Sequence, residues 1–514
     1  MERTFIKAGE LMFKAKTFLI KNWILVITLV IATFLRLWNI DQVGFNGDEA
    51  VYAGQAATLA GYREYANHFS LVRAHPLLFQ FFVSIIYRFT ISDVAARVIS
   101  AVFGVLTVYL VHELGGILFD KRVGLLASIF MSLLPYHVIV SRQALLEPTL
   151  TFFFTLTIWL FWKYQLKRSA MLAYLVGVSS ALTFLSKEVG ILVVGIILFL
   201  LLFGYCNFLK KHLLIASCSF LMTVFPYILT MYVGESTEIF WNYFVWQINR
   251  PSNNPPLFYI ENLSYYFSWP LLILLITGIG YVVLKHETPH VLCLIWFAVI
   301  FLFFQFLPIK GFHYLLPLTP AACLIGALPL NALRSWSARW KRICVSFFIG
   351  LTALTLLISS SLNCVFTLDP NKVGTAGFSG LPKGREAVQW IKENAPEGSR
   401  FLTIGPTMAN IIRFYAPNME VYALSVSQNP IRRNPSYQPI ENPDYMIRFA
   451  LVNYIVFDIY SAKRSPYFAD ILLRYIELYE CELVHVEYST VVSLEDNVAN
   501  LTSIISIYEV RLGG

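Results

Sequence analysis

The first 362 residues alternate long apolar runs with short polar joints. The runs lie near 18–38, 76–91, 94–114, 122–140, 148–162, 170–186, 189–208, 212–232, 268–284, 290–307, 312–332 and 342–362. Most are close to the ~20 residues that carry a helix across a bilayer core. The first, Phe18 to Leu37, is too long for a signal-peptide core and no small-residue cleavage site follows it, so it reads as a retained span. From about Thr367 the pattern changes: charges return and helical and extended segments alternate. Gly384 to Asn394 has helical spacing (Ala387, Val388, Trp390, Ile391), stopped by Pro396-Glu397-Gly398. Arg400–Gly405 reads as a strand and a turn. Further strands are expected at 420–424, 453–458, 482–488 and about 503–511, a helix over Phe468–Tyr479, and a loop from Asn429 to Pro443. The alternation predicts a small α/β domain. The expected division is a membrane domain over 1–365 and a soluble domain over 366–514.

Composition and charge turn this pattern into a topology. The chain is 57% hydrophobic and 14% charged, against roughly 25% charged in soluble domains. A net charge of +8 would suit nucleic acid, but the basic residues sit in short joints between apolar runs, which is an orientation signal; no nucleic-acid partner is expected. Lys14, Lys16 and Lys21 place the amino terminus in the cytoplasm. Lys121-Arg122, Lys163/Lys167/Arg168, Lys210-Lys211, Lys285 and the Arg334-to-Arg342 cluster are spaced two crossings apart, so they share one side. That side is the cytoplasm only if one run between 38 and 121 does not cross. The run 76–91 is the short one, opening at His75-Pro76 and ending at Arg88, and reads as a helix in the outer interface. The expectation is a polytopic α-helical membrane protein with about eleven crossings, interfacial helices in the first outer loop, and an outer α/β domain. The outer face is periplasmic or extracellular. The seven cysteines are scattered without metal-ligand spacing.

This topology gathers the membrane-edge charges on the outer face. They are Asp48-Glu49, the stretch Ser141 to Pro148 with Arg142 and Glu147, then Lys187-Glu188, and Lys310 with His313 and Tyr314. The aromatic, Pro-rich loop 233–267 lies there too; it can sit in the interface, stack on a sugar or lid a lipid site. Carboxylates beside a bilayer are costly and ask for a function. Sugar transfer from a lipid phosphate needs a base, cations for the leaving phosphate and an apolar groove. Asp48 supplies the base, Glu49 orients it or binds a metal or the acceptor, and Glu147 is a further catalytic acid. Arg73, His75, Arg142, Lys187 and Lys310 are the candidate phosphate ligands. No cofactor is required by the pattern; a divalent metal, if used, has Asp48, Glu49, Glu147 and His75 as candidate ligands. Taken singly, each residue has a plainer reading: a solvated helix start, a local Arg142–Glu147 pair, a snorkelling Lys187, a packed His313.

Several pieces in order carry a family resemblance. They are Arg36-Leu37 ahead of Gly47-Asp48-Glu49 and Tyr52, His75-Pro76-Leu77-Leu78, Ala95-Ala96-Arg97, Gly115 to Gly124, Ser141-Arg142 through Glu147, Leu185 to Gly190, and Tyr314-Leu315-Leu316-Pro317 with Pro320. Over roughly 1–335 the chain resembles the C-type glycosyltransferase superfamily, in the branch of protein O-mannosyltransferases (glycosyltransferase family 39) and lipid A aminoarabinose transferases. The Asp-Glu pair after the first span is the most specific piece. The resemblance implies that Asp48 is the catalytic base, that Glu147 lies near it, and that the anomeric centre is inverted. It implies a polyprenyl- or dolichyl-phosphate sugar donor and an acceptor that is a protein, a lipid or a surface glycan. Tyr52, His313 and Tyr314 are expected to line the substrate site. The chain departs from the pattern at His75, where the aminoarabinose enzymes often carry Lys, and it lacks the luminal insert of eukaryotic O-mannosyltransferases. The Trp-Trp-Asp-Tyr-Gly run of oligosaccharyltransferases is also absent. The alternative function is a lipid or sugar transporter or flippase, which would need mid-span charges or two related halves.

Overall fold

The computed structural model describes residues 22–72, 75–233, 237–334, 339–362, 380–492 and 499–511. Each of the eleven runs expected to cross contains helix among the described residues. The membrane domain begins with α1 (Trp23–Leu37), α2 (Gly47–Ala60), α3 (Leu78–Tyr87), α4 (Asp93–Leu118), α5 (Lys121–Leu133), α6 (Pro135–Ser141), α7 (Leu146–Lys167) and α8 (Ala170–Ser186). It continues with α9 (Leu192–Leu202), α10 (Lys210–Val233), α11 (Thr237–Asn249), α12 (Leu263–Lys285), α13 (Thr288–Phe306), α14 (Thr319–Arg334) and α15 (Arg339–Thr355). Among the described residues, five stretches are long and apolar enough to cross a membrane singly: Asp93–Leu118, Lys210–Val233, Leu263–Lys285, Thr288–Phe306 and Phe312–Leu333. The bent pair α5–α6 makes a sixth, and α1 and α8 are among the shorter apolar helices. The run 76–91 yields only the 10-residue α3. At 1.5 Å per residue such a helix is about 15 Å long, half a bilayer core. It buries Phe79, Val83 and Tyr87 on one face and exposes Phe81 and Ile85 on the other.

The run 122–140 was expected to cross once. It breaks, by 60°, between Leu133 and Pro135. Pro135 has no N–H to give Met131, and its ring would clash in a continued helix. A carbonyl freed at membrane depth needs a partner within the protein. Arg36, fully buried in the last turn of α1, donates to Met131 O (3.4 Å) and Ser132 O (3.3 Å), and its Nη2 meets His137 Nδ1 at 2.6 Å. The break aims α6 and the turn after it back toward α2. The loop expected over 233–267 also differs, since it contains α11. Tyr243, Trp246 and Arg250 fall at helical spacing there, a signal hidden by the surrounding prolines.

The described part of the carboxy-terminal domain begins at Gly380, so the expected boundary at 365/366 lies outside the described residues. Its elements are α16 (Gly384–Asn394), β1 (Arg400–Thr403), α17 (Pro406–Tyr415), β2 (Glu420–Ala423), β3 (Tyr454–Asp458), α18 (Pro466–Leu478), β4 (Glu482–Val492) and β5 (Ala499–Glu509). The sheet order is β2-β1-β3-β5-β4. β1 runs parallel to β2 and β3, whereas β5 is antiparallel to β3 and β4. Parallel β1 and β2 need a crossover, and α17 supplies it where only a turn was expected. Pro406 starts α17 at a position that spends no donor. One apolar core joins the two parts of the chain: Phe45, Ala50, Ala53 and Phe69 pack in the same cluster as Met408, Ile412 and Phe414.

The carboxy-terminal domain buries one carboxyl at the end of β3, Asp458. Burial pushes the Asp458 carboxyl up to about 6, although the Ser461 amide donates to its Oδ1 at 2.7 Å. The folded state therefore holds a proton that the unfolded chain releases near pH 4. Its contribution is full below about pH 4 and is lost as pH rises to about 6, worth about 2–3 kcal/mol. Asp458→Asn keeps the amide acceptor and should flatten this slope, read by pulse proteolysis of the full-length protein in urea at pH 4.5 and 6.5.

Candidate active site

The two adjacent acids are placed by the start of α2. Asn46 caps the helix: its Oδ1 accepts from the Asp48 and Glu49 amides, both at 3.0 Å. Glu49 closes a capping box by accepting from the Asn46 amide at 3.0 Å. Asn46 Nδ2 in turn donates to Gln143 Oε1 at 3.1 Å, tying the cap to the turn after α6. Neighbouring helical residues point about 100° apart, so the pair divides. Glu49 turns inward and is 0% exposed. Asp48 turns outward and is exposed, with no side-chain hydrogen bond among the described residues.

Glu49 is fully committed. Arg97 Nε reaches its Oε1 at 2.7 Å and Arg97 Nη2 its Oε2 at 2.9 Å, while the Ala144 amide donates to Oε1 at 2.9 Å. Arg97 spends its other donors on the carbonyls of Ile40 (2.8 Å), Val43 (2.6 Å) and Gly44 (3.2 Å). Bidentate, charge-assisted pairing of this kind fixes geometry as well as energy. The pair thus clamps the loop 40–49 onto α4 and onto the turn that carries Glu147. Arg97 entered the sequence reading only as part of a matching motif. Its role needs a partner 48 residues away in sequence.

A second group converges around Tyr314, on which Asp48 acts electrostatically. Lys187 Nζ lies 2.6 Å from Glu147 Oε1, and His313 Nε2 lies 3.6 Å from the same oxygen. Lys187 also sits 4.4 Å over the Tyr314 ring. Burial alone would lower the Lys187 ammonium, but Glu147 at its side outweighs burial and the net shift is upward, so it stays charged. Glu147 Oε2 is buried with no hydrogen-bond partner among the described residues. Tyr52 links the two groups: burial, then the charges of Asp48 and Glu147, hold its hydroxyl well above the usual range. His75 pairs with Glu188 at 2.7 Å, and its ring lies 6.5 Å from both Tyr52 and Tyr243. Arg250, at the end of α11, lies 4.6 Å over Trp246 and near enough to act on Tyr314 electrostatically. Arg250, Tyr243 and Glu188 were not among the expected site residues.

Other expected ligands are held elsewhere. Arg142 donates to the carbonyls of Leu35 (2.9 Å), Trp38 (2.8 Å) and Asn39 (3.2 Å), so it caps the end of α1 rather than facing Lys187. The cation that pairs with Glu147 is Lys187. Lys310 Nζ donates to Leu307 O at 2.6 Å at the end of α13, and its backbone is held by Asn253 at 2.8 Å. Arg73 lies outside the described residues. Among the described residues no three His, Cys, Asp or Glu side chains converge as metal ligands. Of the four candidates, Glu49 is taken up by Arg97 and His75 by Glu188. The described donor set does not fit a metal.

Residues 23–249 match the family model described as dolichyl-phosphate-mannose-protein mannosyltransferase. A relative from Aquifex aeolicus (strain VF5), described as an uncharacterized protein, is 26% identical over 363 residues, covering 68% of this chain and 70% of its own. The fold is similar to apo ArnT from Cupriavidus metallidurans, with a TM-score of 0.69 at 12% identity, covering 97% of this chain and 99% of that one. ArnT bound to undecaprenyl phosphate gives 0.66 at 13% identity, over 95% and 98% of the two chains. The archaeal oligosaccharyltransferase AglB from Archaeoglobus fulgidus, in complex with an inhibitory peptide and a dolichol-phosphate, gives 0.63 at 16% identity, over 94% and 74%. The expected resemblance to the C-type glycosyltransferases and to the branch named above is borne out, and the chain is a multi-pass membrane protein with that fold.

Proposed function

We propose that this protein transfers one sugar from a polyprenyl- or dolichyl-phosphate donor to an acceptor at the outer face of the membrane, inverting the anomeric centre. The observation that carries the reading is the division of the acid pair. Glu49 is saturated by Arg97, while Asp48 stands exposed beside Tyr52 and the Lys187–Glu147–His313 group. An acceptor hydroxyl or amine attacks the anomeric carbon from the Asp48 side. Asp48 takes the acceptor proton, the new bond forms as the anomeric C–O bond to phosphate breaks, and the electron pair leaves with the lipid phosphate. The ammonium of Lys187 has three N–H donors and spends one on Glu147, which leaves two for the departing phosphate. The Arg250 guanidinium is the second cation in place. The unpaired Glu147 Oε2 is positioned to accept from a sugar or acceptor hydroxyl.

Lys187→Gln should weaken donor binding about 10- to 100-fold, the worth of a charge-assisted hydrogen bond. It also strands Glu147, so Lys187→Gln/Glu147→Gln is the fairer comparison and should show the same loss of donor binding without loss of folding. The reading itself is tested by reconstituting the protein in vesicles with a panel of polyprenyl- and dolichyl-phosphate sugars. The expected result is an acceptor heavier by one sugar and free lipid phosphate. Movement of the donor across the bilayer with no glycosidic product would replace this reading with the transporter.

A further inference from the structure

The outer domain grips the turn that leads into Asp48. Tyr415, the last residue of α17, places its hydroxyl between two groups of the membrane domain. The Phe45 amide donates to it at 2.9 Å, and it donates to Asp93 Oδ2 at 2.5 Å. Burial, then the adjacent Asp93, keep the Tyr415 hydroxyl well above the usual range, so it remains a donor. Arg385 Nη1 meets the same Asp93 oxygen at 3.3 Å, and its Nη2 donates to Asp41 O at 3.1 Å. The Leu381 amide donates to Phe45 O at 3.4 Å. The Phe45 ring is fully buried, 5.0 Å from Phe414 on one side and 5.1 Å from the Arg97 guanidinium on the other.

The fit leaves no slack. A Cβ on Gly44 would lie 2.8 Å from Arg385 Cβ, and one on Gly47 would lie 2.9 Å from the Thr407 Cα of α17. Arg97 holds the turn by its carbonyls from the membrane side, and Tyr415 holds it by an amide from the outer side. Phe45 is three residues ahead of Asp48 and one ahead of the cap residue Asn46. A shift of the Phe45 amide therefore moves the cap, and with it the direction of the Asp48 carboxylate. Reaction rates respond steeply to such shifts, about 10²-fold for 1 Å.

We infer that Tyr415 is a positioning residue: the outer domain, through the Phe45–Tyr415–Asp93 chain, holds the 43–47 turn so that Asp48 faces the site. The inference rests on Asp48 being the base. Tyr415→Phe removes both hydrogen bonds and keeps the ring packing. The full-length protein should then lose kcat about 10-fold, with donor affinity and melting temperature near wild type and faster amide exchange confined to residues 43–50. A merely structural tyrosine would instead lower stability while leaving kcat per folded molecule unchanged. Gly44→Ala, which pushes the Arg385 backbone away, should lower kcat in the same sense. Wild-type kcat in folded Tyr415→Phe overturns the proposal. Asp48→Asn in the same assay separates the two readings. If Asp48→Asn stays active while Tyr415→Phe is impaired, the base has been misassigned and the hold on the turn stands.

Discussion

Asp48→Asn should lower sugar transfer about 10²- to 10⁴-fold while donor binding and expression stay near wild type. The size is that of a positioned general base. The separation from binding follows from placement. Asp48 is exposed, makes no side-chain hydrogen bond among the described residues, and carries no part of the core. Position 48 stays two residues past the cap residue Asn46, and both cap bonds are to backbone amides that the substitution keeps. A steady-state assay with donor and acceptor both saturating reads kcat, and a filter-binding assay on the same preparation reads donor affinity.

The largest effect on the protein itself is expected at the neighbouring acid. Arg97→Met should strip Glu49 of two charge-assisted bonds and leave it buried without a counter-charge, at a cost of about 3–5 kcal/mol. The carbonyls of Ile40, Val43 and Gly44 would lose their donor in the same step. The expected outcome is a sharp fall in the yield of folded protein. The double change Arg97→Met/Glu49→Gln should recover part of the yield, because no charge is then stranded, and fluorescence-detected size exclusion of the detergent-solubilised protein reads both. Equal behaviour of Arg97→Met and wild type would mean that the clamp is dispensable.

The apolar rhythm showed where the membrane helices lie, because burial in lipid needs a continuous run and little else. Counting basic joints set α3 aside as a helix that does not cross, and α3 is 10 residues long. The same rhythm could not show the break at Pro135 being met by Arg36, since that contact joins residues 95 and 96 apart. At the site, the joining of Glu147 to Lys187 was implicit in placing both on one face. The split between Asp48 and Glu49 was not, because two adjacent acids look alike until a helix turns them apart and Arg97 selects one. Arg142 and Lys310 looked like phosphate ligands by charge and position, yet Arg142 holds three carbonyls at the end of α1 and Lys310 is tied to Leu307 O just past α13. Short-range capping of that kind depends on where a neighbouring helix stops, which the sequence leaves open by a residue or two. The hold of α17 on the 43–47 turn was hidden for a related reason: Arg400–Gly405 showed a strand, but a parallel neighbour for it is needed before a crossover helix is required.

The most direct test of Asp48 as the base is a single-turnover experiment in vesicles preloaded with a labelled polyprenyl-phosphate sugar, run on wild type and Asp48→Asn side by side. On acceptor addition, wild type should convert the bound donor to a product of inverted anomeric configuration and release polyprenyl phosphate in one exponential phase. Asp48→Asn should hold the same amount of donor and convert it at least about 10²-fold more slowly. Conversion by Asp48→Asn at the wild-type rate, or a product with retained configuration, would contradict the account.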